Sequence, residues 1–412
     1  MTDSTAVVRE LDRHSDTAWP TTTDVLVVGG GIAGAAVAFH LARHGVEVVL
    51  LDRGELNREA SGTNAGSFHL QLAIHQLSGA GTGADRERLL ADARLSLQAF
   101  SVWRGLGTEL DGDLDVHQTG GWMVAETPEQ LTTLYEKHAL EEMAGIETEV
   151  VSGGSLTERA PYLSRHLLGA TYCPAEGHAN PLVVAPLYAL RAAESGAIIR
   201  AHADVRRIEI RNGTAGRRFG VHTSAGRIDA HRIVDCAGAW AGELAGMVGL
   251  RLPVRHEGLH VNVTEPRPRM FQPMLQHIGR RLTLKQTEAG TFIIGGGWPT
   301  PVAARPSRYP TAWRSAAGNL AVALDVVPAL GDVRVVRTWS GVIVFTDDFS
   351  PIVGESELVP GFFACVASTG FTFSPVFARQ LAERMVDGYD GPAADAFPAR
   401  YAVDRASGRI PA

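Results

Sequence analysis

Asp24-Val25-Leu26-Val27-Val28-Gly29-Gly30-Gly31-Ile32-Ala33-Gly34 decides the fold. Its first five residues are a short apolar run that ends at glycine, the pattern of a strand buried in a parallel sheet. Small residues from Ile32 to His44 predict a helix lying close to that sheet, and Val46 to Leu51 is a second apolar run that stops at Asp52. Together these make a βαβ unit of about 30 residues. At its turn stands Gly29-x-Gly31-x-x-Gly34. The first glycine permits the tight turn, the second lets main chain approach a pyrophosphate, and the third lets helix and strand pack closely. The pyrophosphate belongs at the helix N-terminus, where free N–H groups and the dipole favour an anion. Asp52 stands where a carboxylate meets ribose hydroxyls. With strand, helix and acid in place, the turn is read as a dinucleotide site.

The rest of the chain bounds the answer. Its 412 residues are 45% hydrophobic with a net charge of −7, enough for two or three domains. A mildly acidic balance lacks the basic face that nucleic acid requires. The 45 glycines are about 11%, against a usual share of roughly 7%, and show no collagen period. Cys173, Cys236 and Cys365 lie far apart with no C-x-x-C, so neither a disulfide framework nor a zinc knuckle is expected, and a reducing cytoplasmic setting fits. Met1 to Thr23 is polar and lacks the apolar segment of a signal peptide, and reads as a loose tail. Val25 to Ala42 alone resembles a membrane span, and a strand plus a buried helix accounts for it better, so no transmembrane segment is expected.

Beyond Arg53, Ala60 to Gly66 is a turn-rich loop. Helical spacing covers Asp85 to Gly105; Thr127 to Met143 reads as a surface helix, and Pro181 to Ser195 as a helix opened by proline. Strands are expected at Gly120 to Ala125, Ile198 to Arg200, Val205 to Ile210, Arg218 to Thr223 and Arg227 to Val234. Further strands follow at Leu252 to Thr264, Arg281 to Gln286, Thr291 to Gly295, Arg334 to Val344 and Phe362 to Val366. Helices are expected at Pro310 to Leu324 and Thr372 to Val386, and a loose tail from Pro398.

Several separated motifs, in order from Asp24 to Gly388, resemble one family. They are Val27 to Gly34, Asp52-Arg53-Gly54, Ala60 to Gly66 and Val234 to Ala241, then Arg337 to Gly341, Asp348-x-x-Pro351-Ile352-Val353-Gly354 and Ser368 to Phe371. The chain resembles the FAD-dependent amino-acid oxidase superfamily of glycine oxidases, sarcosine oxidases and D-amino-acid dehydrogenases. Ser67-Phe68-His69, Leu284 to Thr287 and Gly295 to Trp298 are most similar to the flavoprotein subunits of hydrogen cyanide synthase and opine oxidases. The resemblance implies an α/β plus α+β molecule: a discontinuous Rossmann-like FAD domain of the glutathione-reductase type and an antiparallel-sheet substrate domain. Residues 20–85, 148–249 and 333–392 would form the first, 86–147 and 250–332 the second, and 1–19 and 393–412 tails.

The resemblance also places the cofactor, FAD bound non-covalently. Gly29, Gly31, Ile32, Ala33, Gly34, Asp52 and Arg53 would meet the dinucleotide. Ser61, Thr63, Asn64, Ala65 and Gly66 would donate hydrogen bonds to phosphate and flavin. Val205 would lie near adenine; Ala237, Gly238 and Trp240 would form a turn beside ADP, where a Cβ on Gly238 would obstruct. Gly341 belongs to the Trp-x-Gly motif, and Gly370, Phe371, Thr372 and Phe373 would open a helix aimed at the flavin. The reaction implied is oxidation of an amine or amino acid, N-substituted or D-, with hydride passing to the flavin and the imine then hydrolysed. Oxygen or a redox partner would take the electrons. A 2-hydroxy acid or polyol substrate, or a role as one subunit of an electron-transfer complex, stays open.

One departure matters. The arginine that many relatives carry two residues after the glycine of Trp-x-Gly is absent, because Val342 and Ile343 follow Gly341. Lys285, on a predicted strand, is the first candidate to hold a substrate carboxylate; a solvated surface lysine is the competing reading. Gln286 would point the other way. His69 follows the flavin loop and is read as facing the ring or substrate, or else as capping a helix. His178 is read as shaping a turn, Cys365 as core, and Asp347-Asp348 as a structural turn. His256 and His260 share a strand face without a third ligand, so no metal site is expected.

Overall fold

The structure, a computed structural model, describes residues 4–14, 18–73, 83–213, 216–302, 309–386 and 397–405. Helix α1 (Ser4–His14) precedes β1 (Thr22–Val28), α2 (Ile32–Arg43), β2 (Val48–Leu51), the one-turn α3 (Ala60–Thr63) and β3 (Ser67–Phe68). The long α4 (Gly83–Glu109) leads to β4 (Gly121–Ala125), α5 (Pro128–Ala144), β5 (Glu149–Ser152), α6 (Gly153–Arg159), β6 (Gly169–Cys173) and β7 (Gly177–His178). Next come α7 (Pro181–Glu194), β8 (Ile198–Arg200), β9 (Val205–Gly213), β10 (Gly216–Thr223), β11 (Arg227–Asp235) and α8 (Ala241–Gly246). The remainder is β12 (Val254–Thr264), β13 (Met274–His277), β14 (Thr283–Gln286), β15 (Phe292–Gly295), β16 (Pro299–Thr300), α9 (Trp313–Val326), β17 (Val335–Thr346), β18 (Ile352–Glu355), β19 (Phe362–Val366) and α10 (Gly370–Met385).

Two sheets share these strands. The first runs β18-β19-β11-β1-β2-β8, with the β9–β10 hairpin attached to β11. From β19 to β8 its strands are parallel, and β18 closes it as an antiparallel edge. β1 sits in the middle with Val25, Leu26 and Val27 fully buried, so its apolar run needs no polar alternation. Val25 and Val27 face α2, α7 and α10; Leu26 and Val28 face the opposite core with α8. Ala35, Ala36 and Ala38 of α2 are fully buried, which is what allows that helix to lie against the sheet and two other helices.

The second sheet runs β16-β12-β15-β14-β13-β4-β6-β5, with β17 paired to β12. It is antiparallel except where β13 meets β4. Hydrogen bonding puts β5, β6 and β17 here, inside stretches that the sequence division gives to the FAD domain. Strand pairing is a long-range property that local periodicity does not carry.

Both ends of the chain correct the expectation of loose tails. α1 packs on α7 and buries Val7 and Leu11, an i, i+4 apolar pair hidden among charges. Near the other end Tyr401 and Val403 are buried, and Arg405 bonds Pro351 O and Asp348. Positions 1–3 and 406–412 lie outside the described residues.

A second correction concerns α5, read as a surface helix. Its Leu134, Lys137, Glu141 and Ala144 form a buried stripe. Lys137 Nζ lies 2.8 Å from Glu141 Oε1, both side chains fully buried, and also donates to Gln71 Oε1 at 2.8 Å. Removing one partner of such a pair leaves the other charged in a low dielectric. Lys137→Ala is therefore expected to cost about 3–5 kcal/mol of stability, read from urea unfolding of the variant beside the parent chain.

Candidate cofactor and active site

The site begins where three backbones cross. Gly29 adopts φ 114°, and a Cβ there would stand 2.3 Å from Cys236 O. A Cβ on Gly34 would stand 1.9 Å from Gly29 O. Only glycine permits both approaches. α2 therefore starts directly off β1, with Gly31 as a cap that offers no side chain. Ser61 Oγ accepts from Ile32 N at 3.0 Å; the first-turn amides of Ala33 and Gly34 have no helical acceptor and suit an anion. Asp52 accepts from Gly30 N at 2.7 Å and from Gly54 N at 2.8 Å, and each oxygen keeps a lone pair for another donor. Burial raises its pKa, and those two N–H groups oppose the rise. Arg53 lies 3.6 Å above the Trp240 ring, and its buried Nη2 has no hydrogen-bond partner.

From this turn a cavity of about 730 Å³ reaches across to the second sheet. One wall is the loop after α3. The Asn64 amide donates to Ala60 O and Ser61 O, and its Oδ1 accepts from Gly66 N at 2.6 Å. Asn64 thus spends its side chain shaping the loop, and Asn64 and Ala65 border the cavity. Thr63 O accepts from Trp339 Nε1 at 2.8 Å, and a Cβ on Gly341 would meet Thr63 Oγ1 at 1.9 Å. The Trp-x-Gly motif is therefore the seat of the second sheet on the flavin loop. The opposite wall is the start of α10, where Gly370, Phe371, Thr372 and Phe373 line the cavity and Ser368 Oγ is buried without a partner. Trp103 backs both walls. It stacks on Phe68 at 5.3 Å, meets Phe371 at 5.0 Å, and donates to Thr372 O at 2.9 Å.

Other expected residues fall in different places. Gly238 lines the cavity, but a Cβ there would meet open space; its φ of +55° is what calls for glycine. No protein atom crowds that position, so within the chain it is the backbone conformation that calls for glycine. Ala237 N donates to Asp235 Oδ1, whose burial raises the Asp235 pKa to about 8. Val205 opens β9, half-buried and outside the cavity lining. Cys365 is core as read, yet the parallel register sets it beside Cys236, one residue past the Asp235–Ala364 pair, and both thiols line the cavity. His260 is spent on Ser340 Oγ and Ala312 N, and His256 is exposed.

In the second sheet, Lys285 is only 4% exposed, which rules out a solvated surface lysine, and it stands behind the residues that line the cavity. Its Nζ lies 3.2 Å from where a Cβ on Gly66 would be, directly behind the flavin loop. Burial lowers its pKa to about 7, and Asp115 opposes the drop. Gln286 points the other way, as alternation requires, and bonds the backbone of Arg267, Pro268 and Gly290. His69 caps no helix; it lines the cavity. Its buried Nδ1, 4.0 Å from Glu176 Oε1, has no hydrogen-bond partner. Burial and the nearby Lys285 lower its pKa to about 4, so its ring is neutral near pH 7. His178 is buried in β7, paired with Ser67.

Several site residues escape sequence reasoning: Gln71, Trp103, Glu176, Gln276, Thr283 and Ser368. Their partners lie about 100 or more residues away in most cases, as with Leu70, Gln71 and Glu176. One signal was available, the Lys137–Glu141 pair at i, i+4 on an apolar stripe.

A phosphate-ready helix start, an Arg53 guanidinium whose Nη2 is buried without a hydrogen bond, 3.9 Å from Glu59 Oε1, and an orphaned hydroxyl at Ser368 fit a long cofactor with a pyrophosphate. Residues 24–384 match the DAO family of FAD dependent oxidoreductases. The chain belongs to that family. FAD is its cofactor, and the glycine turn, the flavin loop and the start of α10 are the elements that would hold it. Among the relatives, an opine oxidase subunit of Rhizobium meliloti is 30% identical over 382 residues, covering 89% of this chain and 94% of that protein. The beta subunit of sarcosine oxidase from Rhodobacter capsulatus is 26% identical, covering 95% and 93%. The crystal structure of glycine oxidase from Geobacillus kaustophilus superposes with a TM-score of 0.80 at 24% identity, over 94% of this chain and all of that one. The amino-acid oxidase resemblance and the doubly layered fold stand.

Because a Cβ on Gly34 would stand 1.9 Å from Gly29 O, Gly34→Ala should push α2 off the turn. The purified variant is expected to carry roughly tenfold less flavin than the parent, measured as the ratio of flavin to protein absorbance.

Proposed function

We propose that this enzyme oxidises the C–N bond of an amine or N-substituted amino acid and that Lys285 holds the substrate's carboxylate. The observation that carries this reading is the buried Lys285 side chain, its Nζ 3.2 Å from the position of a Cβ on Gly66, in a chain lacking an arginine at Val342 or Ile343. Burying a cation is costly unless an anion compensates, and a substrate carboxylate provides one. Bound FAD supplies a hydride acceptor. The chain's part is to orient the donor carbon and to keep the substrate nitrogen neutral. His69, unprotonated near pH 7, places a neutral imidazole on the cavity wall. The imine that forms then hydrolyses in water. The names of the relatives, subunits of an opine oxidase and a sarcosine oxidase, support an amine and also support a second reading, in which this chain works with partner subunits. No helix among the described residues is long and apolar enough to cross a membrane, and three buried free thiols fit a reducing cytoplasm.

Anaerobic titration of the holoprotein tests the reaction: amines should bleach the flavin, and 2-hydroxy acids should leave it oxidised. Admitting air then identifies the acceptor, since rapid recovery with peroxide means oxygen and persistent bleaching means a redox partner. Lys285→Met is expected to raise KM for carboxylated amines roughly tenfold or more with a smaller change in kcat.

The pH dependence has a definite sign. A bound carboxylate raises the Lys285 pKa above its free value of about 7. Affinity should thus be level below pH 7 and weaken as pH rises beyond it. That limb should vanish in Lys285→Met and move to higher pH in Lys285→Arg, as seen in KM–pH profiles.

A further inference from the structure

The extended segment after β3 is held in an unusual way. Residues Leu70 to Leu72 are buried, or nearly so, and no sheet ladder takes their amides. Two carboxylates do. Glu176 Oε1 accepts from Leu70 N and Gln71 N, each at 3.0 Å, and Glu141 Oε1 accepts from Leu72 N at 2.7 Å. Glu176 is fully buried and sits against β4, where a Cβ on Gly121 would stand 1.9 Å from its Oε2. Two glutamines of the cavity wall, Gln71 and Gln276, meet this carboxylate.

Their remaining atoms separate them. Gln71 is fully committed: its Nε2 donates to Glu176 Oε2 at 2.9 Å and to Gly121 O at 3.3 Å. Its Oε1 accepts from Lys137 Nζ at 2.8 Å and Thr171 Oγ1 at 2.6 Å. Gln276 has only its Nε2 engaged, shared between the two Glu176 oxygens at 3.5 and 3.4 Å. A carboxylate only accepts, so it fixes which way that amide faces. The Gln276 carbonyl oxygen is left as an acceptor with no partner among the described residues. β13 sets Gln276 beside Met123 of β4 and Thr283 of β14, and both neighbours also line the cavity.

We propose that Gln276, aimed by Glu176, accepts a hydrogen bond from the N–H of the substrate and so favours primary and secondary amines over tertiary ones. The inference rests on the amine-oxidation reading above and adds the recognition of nitrogen to that of carboxylate. An acceptor oxygen gains nothing from a neutral tertiary nitrogen, which has no hydrogen to offer. Glu176 is the positioning residue; Gln276 is the group that touches substrate.

The test is anaerobic flavin reduction of Gln276→Leu holoprotein by N-methyl and N,N-dimethyl amino acids, measured as rate against concentration. Among the described residues the Gln276 side chain makes no hydrogen bond except to Glu176, so the variant should fold and keep its flavin spectrum. The expected result is a roughly tenfold loss of rate over affinity for the N-methyl substrate, and a loss under about threefold for its dimethyl analogue. Equal losses for the two substrates, or none, overturn the proposal and leave amine oxidation intact. Glu176→Gln should reproduce the same selective loss if it folds; a folded Glu176→Gln variant with parental selectivity also overturns the proposal. A parent flavin bleached by 2-hydroxy acids and by no amine overturns the underlying reading, and this one with it.

Discussion

The molecule depends on how closely main chain can approach main chain at one point. At the end of β1 the backbone of Gly29 touches both Cys236, at the end of β11, and Gly34, in the first turn of α2. That crossing brings the N-terminus of α2 over the edge of the parallel sheet with its amides facing out. An anion site made this way needs no charged side chain. The carboxylate of Asp52 then braces the turn through Gly30 and Gly54. The geometry that would receive the cofactor is accordingly set by the backbone, and the side chains of Ser61 and Asn64 bond that backbone.

The second sheet relates to this site through a different physical device, buried charge. Glu176 and Glu141 take the amides of Leu70 to Leu72 in place of a neighbouring strand, and Lys137 balances one of them. Desolvation raises the pKa of both carboxylates, so the arrangement is costly by itself and persists because every oxygen has donors. The segment so held carries His69 and Gln71 into the cavity wall. Trp339 and Gly341, from the other side of the same sheet, press on Thr63. Both layers must therefore be in place before the flavin loop has its shape.

What could be read from sequence divides along a physical line. β1, α2, β2 and the glycine spacing were legible because their causes are local: a β-branched run, small helical residues, a turn that only glycine can make. Lys285 and His69 were legible as types near a motif, and burial then gave them their chemistry. Glu176, Gln276 and Trp103 were invisible because their roles depend on partners far away in the chain. Gly238 was legible as a turn glycine, and its φ of +55° adds a backbone reason that the sequence does not display. The charged face of α5 was misread because a lysine and a glutamate four residues apart look like solvated surface until the stripe of Leu134 and Ala144 is noticed. The triple glycine Gly295 to Gly297 resisted explanation from sequence; Gly296 and Gly297 have φ of +121° and +83°, and a Cβ on Gly296 would strike the backbone of Leu282.

The paired thiols have a consequence for durability. Cys236 and Cys365 stand side by side in the wall of a cavity where, if oxygen takes the electrons, peroxide is released. Thiols react with peroxide as thiolates. Burial and the neighbouring Cys365 and Asp235 hold the Cys236 pKa well above its usual range, so that sulfur stays protonated at neutral pH. Burial in the cofactor cleft thereby keeps the Cys236 sulfur in its unreactive protonated form.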